Sequence, residues 1–208
     1  MKMKIKILIL FVFIILTLSS CDNSLKFKND GTTGNLIDET NGRYYIYCGS
    51  YLKAAEIDSK VYATGDGTPQ EKLHEITGID PAEWLSEDIS QGIALLFREK
   101  SVEEPKLESF ETKVIHITMA EEVTLSIGAI TDKTDIAAIV NDYLNNPGVQ
   151  VPEYTNNGVT LYFESESDKY KNIYYVLQYF VDDKNVSYLY DRWTRRCVVC
   201  SVNIFAPK

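Results

Sequence analysis

Asp191-Arg192-Trp193-Thr194-Arg195-Arg196 gathers three of the chain's five arginines beside one of its two tryptophans. Guanidinium groups pair with carboxylate or phosphate in a bidentate fork, and an indole adds a flat stacking surface. That combination suits an anionic sugar, a teichoic-type polymer or an acidic segment of a partner. The plainer reading is that the arginines pair with the chain's own acids and Trp193 packs inward. The chain holds 14 tyrosines. On a strand over 173–181, Tyr175 and Tyr179 share one face and Tyr174 and Phe180 the other. One aromatic face then packs on a helix and the other offers a stacking platform, or both serve cross-strand packing. Arg192, Trp193, Arg195, Arg196, Tyr175 and Tyr179 are therefore the candidate ligand contacts.

Other reactive groups are sparse. Cys197-Val-Val-Cys200 has redox or metal spacing, but β-branched valines favour a strand, where residues three apart point to opposite faces. Cys48 and Cys200 are expected in the core as buried thiols, with a Cys48–Cys200 bridge as the alternative. His74 is expected on a helix facing solvent, and His116 on the strand face opposite Ile115, Ile117 and Met119. Glu164-Ser165-Glu166-Ser167-Asp168 offers alternating oxygens for calcium, yet lacks the glycine and distal glutamate of an EF-hand loop, so a solvated hairpin tip is expected. Neither a G-x-S-x-G nor an HExxH motif nor a phosphate-binding glycine loop is present. No metal or cofactor is expected. An envelope hydrolase acting on glycan or peptide, with paired carboxylates drawn from separate strands, is the enzymatic alternative.

The amino end places the protein. Lys2, Lys4 and Lys6 precede the apolar run Ile7 to Leu16, the layout of a secretory signal. About a dozen residues at ~1.5 Å each reach roughly 18 Å, short of a ~30 Å bilayer core. Leu18-Ser19-Ser20-Cys21 resembles the lipobox of bacterial lipoproteins. The resemblance covers residues 1–21 and implies that 1–20 is removed, that Cys21 receives diacylglycerol, with palmitate-type acyl chains, and that the mature protein is held in the cell membrane facing the extracytoplasmic side. Each buried CH₂ adds about 0.8 kcal/mol to such an anchor. Removing residues 1–20 takes away three lysines and no acids, leaving 18 basic against 30 acidic residues and a net charge of −12. A surface this acidic has no general attraction for nucleic acid or anionic lipid.

The elements that must position these groups read as follows. Residues 22–42 are polar and Gly-bearing, hence a flexible tether. Thr68-Pro69-Gln70-Glu71 is a capping box, and Asp80-Pro81-Ala82-Glu83 repeats it, so 69–86 reads as two short helices. Strands are expected at 43–48, 92–98, 113–119 and 123–128, then a helix over 133–145 capped by Asp132 with Ile136, Ile139, Val140, Tyr143 and Leu144 inward. A meander follows at 159–164, 173–181, 186–190 and 197–204. The strand–helix–four-strand order over 122–205 resembles that of cystatin-like folds. The expected fold is α+β, mainly antiparallel sheet with helices on one face, over 43–208, with subdomains at 43–121 and 122–208. The expected function is a non-enzymatic binding or interaction module of the cell envelope; the domain is too short for a two-lobed solute-binding protein.

Overall fold

A computed structural model of the chain describes residues 25–65, 72–89, 93–120, 124–152 and 161–205. One turn device recurs. Asp30, Asp38, Asp182 and Asp191 each accept backbone N–H groups from residues just downstream: Thr32 and Thr33, Thr40 and Asn41, Lys184 and Val186, Trp193 and Thr194. Each carboxylate satisfies donors that the reversing chain withdraws from the ladder. Each turn then closes on a residue of positive φ: Gly34 (75°), Gly42 (66°), Asn185 (61°) and Arg195 (58°). Glycine and asparagine enter that region readily, whereas an arginine meets its Cβ–carbonyl clash.

The first eight strands are β1 (Leu25–Asn29), β2 (Leu36–Asp38), β3 (Arg43–Tyr47), β4 (Leu52–Ala54), β5 (Ile57–Gly65), β6 (Lys72–Ile76), β7 (Trp84–Ile89) and β8 (Ile93–Glu99). All but β4 form a closed barrel in the order β1-β2-β3-β8-β7-β6-β5. Its neighbours are antiparallel except the closing pair, in which β1 runs parallel to β5 with Leu25 opposite Ala63. Phe27, Leu36, Tyr45, Ala63, Leu73, Leu85 and Phe97 fill the lumen. Phe27 stacks on Tyr45 at 5.4 Å, and the Tyr45 hydroxyl donates to the carbonyl of Pro81 at 2.9 Å.

The second sheet contains β9 (Thr112–Ala120), β10 (Thr124–Ile130), β11 (Leu161–Ser167), β12 (Ile173–Val181), β13 (Ser187–Asp191) and β14 (Arg196–Cys200), in the order β10-β9-β11-β12-β13-β14. β4 crosses from the barrel to pair with Ile173–Tyr175 of β12. The helix α1 (Lys133–Asn145) packs on this sheet, with Asp132 accepting the N–H groups of Thr134 and Asp135 at 2.8 and 3.2 Å. Ile136, Ile139 and Tyr143 of α1 join Ile115, Phe163, Leu177, Tyr179 and Val198 in one core, which also takes Ile76, Trp84 and Leu96 from the outer wall of the barrel. Asp142 is buried too, because its Oδ2 accepts the N–H and hydroxyl of Ser201, both at 2.7 Å.

Several expectations are overturned. The fold is not α+β of cystatin-like order: it is mainly β, with a closed barrel and a second sheet. β9, upstream of the segment that suggested that order, lies between β10 and β11 and changes the pairing. The two helices expected over 69–86 are absent among its described residues, where β6 and the start of β7 stand instead; the first capping box lies outside the described residues. Leu73 faces the lumen while Ile76 faces the main core. Apolar residues three apart mimic a helix stripe when a strand is covered on both sides. Residues 25–42 form β1 and β2 where a tether was expected. The barrel strands all precede β9, while β4, from the same part of the chain, belongs to the second sheet. Cys21 and the signal segment lie outside the described residues.

Candidate functional site

The turn from β13 to β14 hangs over the seam between barrel and second sheet. Asp191, 1 % exposed, shapes it from beneath. Its Oδ1 accepts the N–H of Trp193 at 2.8 Å and of Thr194 at 3.2 Å, and its Oδ2 accepts the Tyr143 hydroxyl at 3.0 Å. The turn is thereby fixed to α1. Trp193 projects outward, 53 % exposed, with its ring edge-on to Tyr47 at 5.6 Å. Its other support is Gly49: φ there is +74°, and a Cβ would stand 2.5 Å from the indole Cδ2. Both the backbone conformation and the close approach demand glycine.

Beside this indole lies a crevice of about 260 Å³, with Tyr51, Tyr175, Glu104, Glu108 and Thr194 on its walls. Ligand pockets commonly hold ~300–1,000 Å³, so this one suits a single side chain, sugar ring or headgroup. Tyr51 and Tyr175 lie 5.6 Å apart, and Phe110 backs Tyr175 at 5.9 Å. The Tyr51 hydroxyl donates to Glu104 Oε1, while Arg98 Nη2 stands 3.8 Å from Glu104 Oε2. Burial raises the hydroxyl pKa of both Tyr51 and Tyr175, Tyr51 further through the bonded Glu104 and Tyr175 through the nearby Tyr143. Burial also pushes the Tyr143 hydroxyl up to about 12, with the Asp191 charge beside it adding to the shift. All three phenols therefore stay protonated near neutrality. The crevice offers an aromatic wall, hydroxyl groups and rim carboxylates; Asp191 is engaged within the fold.

The structure gathers only part of the candidate set here. Trp193 and Tyr175 line the crevice; Arg192 and Arg195 are exposed on the same turn, with no ion pair among the described residues. Arg196 turns inward instead. It lies over the Tyr143 ring at 5.6 Å and donates to the carbonyls of Asn146 and Leu144 at 2.9 and 3.4 Å, capping the C-terminus of α1. Tyr179 is fully buried, stacked on Phe163 at 4.5 Å, with its hydroxyl 2.9 Å from Ser187 Oγ. It belongs to the core and forms no stacking platform. Tyr51 and Glu104 had no local sequence signal, since they come from connections far from residue 193.

The other candidate groups take structural places. His74 lies on β6 rather than a helix, buried, with Nδ1 3.0 Å from the carbonyl of Asp58. His116 stands on the expected face of β9, with Nε2 2.7 Å from Glu166. Of the acids of 164–168, Asp168 lies at the exposed hairpin turn as expected, whereas Glu164 and Glu166 stand on β11; Glu164 pairs with Lys53 at 2.8 Å, and Glu166 and Asp168 pair with Lys113 at 2.9 and 2.5 Å. Cys48, Cys197 and Cys200 are buried free thiols. No family model, curated protein or solved structure matches the chain.

Proposed function

We propose that this protein is a lipid-anchored binding module of the bacterial cell envelope, non-enzymatic, whose ligand site is the Trp193 crevice. One observation carries the reading: a half-exposed indole, seated on a glycine that no other residue can replace, is held beside a crevice by a turn that keeps an arginine in the left-handed region. Exposed large aromatics and backbone strain concentrate where a protein meets a ligand. The lipobox resemblance of Leu18-Ser19-Ser20-Cys21 supplies the anchor and the extracytoplasmic side.

The test is a capture experiment with the envelope fraction. The wild-type domain and Trp193→Ala are immobilised, and retained material is compared. Trp193→Ala should lose the retained component while remaining folded, with a midpoint lowered by only a few degrees, since about half of the indole is packed on Tyr47 and Gly49. Equal retention by both proteins would refute the site. In parallel, Cys21→Ser should abolish fatty-acid labelling; persistent labelling would refute the anchor.

A further inference from the structure

Three residues, Asp22, Asn23 and Ser24, separate Cys21 from Leu25, the first residue of β1. β1 is no loose tail: it closes the barrel through Leu25, Lys26 and Phe27 on β5 and is paired with β2 through Lys28 and Asn29. Four Cα steps extend at most ~3.6 Å each, so Leu25 lies within roughly 14 Å of Cys21. An anchored Cys21 thus keeps the start of the barrel close to the bilayer.

The register identifies which end is held. Lys28 opposes Ile37, so β1 runs back from there beside the 39–42 turn, and Arg43 opposes Asp38 at the same end. The other end carries the 30–35 turn, where Asn35 Oδ1 accepts the Tyr47 N–H at 2.9 Å. Trp193 packs on Tyr47 and Gly49 at this second end. From Arg43 to Tyr47 the strand advances ~13 Å, or about 10 Å along the axis for a tilt near 40°. With a net mature charge of −12, the surface has no general attraction to anionic lipid that would pull another side down.

We infer that lipidation of Cys21 holds the 39–42 end of the barrel against the bilayer and presents the Trp193 crevice away from it. This rests on the anchored reading above. The surface facing the 39–42 turn is the membrane that holds the protein's own acyl chains, and the crevice's ligand lies beyond the headgroup layer.

The experiment uses the full-length protein as processed in a bacterial host, reconstituted in phosphatidylcholine vesicles containing headgroup spin-labelled lipid. A fluorophore is attached at Thr40→Cys or at Thr194→Cys, both exposed positions, while the three native thiols are buried. The label at 40 should lose about half or more of its intensity and the label at 194 little. Equal quenching at both positions, stronger quenching at 194, or none at either would overturn the orientation. Mass measurement of the same sample separates the two ideas: protein without an acyl group on Cys21 refutes the anchored reading and the inference with it, whereas acylated protein that quenches equally at both positions refutes the orientation alone.

Discussion

Replacing Arg195 by glycine should make the protein more stable and a poorer binder. Arg195 has φ +58°, the region that Gly34 and Gly42 occupy in sister turns and that Asn185 occupies in a third. A left-handed L-residue costs about 1–2 kcal/mol relative to its preferred wells. Glycine removes that strain but adds roughly 0.5–1 kcal/mol of conformational entropy to the unfolded chain. The mid-values differ by about 0.75 kcal/mol in favour of Arg195→Gly, which for a domain of this size raises the midpoint by about 1.5–3 °C. The guanidinium is exposed, and among the described residues no ion pair offsets this gain. Far-UV circular dichroism melts measure the stability, and retention of envelope material by the immobilised domain measures binding. A lower midpoint would refute the strain argument. A higher midpoint with undiminished retention would show that the arginine is not kept for its charge.

Gly49→Ala puts a methyl group into the Trp193 ring and onto a left-handed backbone, so the intrinsic fluorescence should shift red as the indole leaves its seat; an unchanged emission maximum would contradict the packing. Ile139→Asp places a carboxylate at a position 2 % exposed in the main core and should destabilise the domain by several kcal/mol, read from a denaturant midpoint; an unchanged midpoint would contradict the core assignment. Glu166 is held below the ordinary glutamate range by His116 first and Lys113 second. A depressed carboxyl gives stability that is present above its unfolded value of about 4.3 and lost as pH falls through the folded value, so Glu166→Gln should flatten the decline of the melting midpoint below about pH 4. An acid limb identical to wild type would show that this pairing adds nothing.

How much of this was readable beforehand depended on how many faces each element buries. α1 and β12 were legible with their boundaries, because α1 buries one stripe and β12 is a long β-branched and aromatic run. β6 and β7 were not. Trp84 faces the main core and adjacent Leu85 the lumen, as Leu96 and Phe97 do on β8. Strands covered on both sides lose the alternation that identifies them. β1 did alternate, Leu25 and Phe27 against Lys26 and Lys28, but over five residues flanked by turn formers the signal was too short to stand out. The 192–195 turn was legible as a concentration of arginine and indole in an acidic chain. The crevice beside it was not, since Tyr51 and Glu104 reach it through tertiary packing, and nothing local marks Arg196 as the cap of a helix fifty residues earlier.

The central claim is that the Trp193 crevice is where this protein meets its ligand. The most direct measurement is photo-cross-linking in the intact envelope, with a benzophenone amino acid at Thr194 on the crevice wall and, as a control, at Thr40 on the 39–42 turn. The account predicts a discrete cross-linked product from position 194 that vanishes when Trp193→Ala is added, with no such product from position 40. A product from position 40 with none from 194, or one from 194 that survives Trp193→Ala, would contradict it.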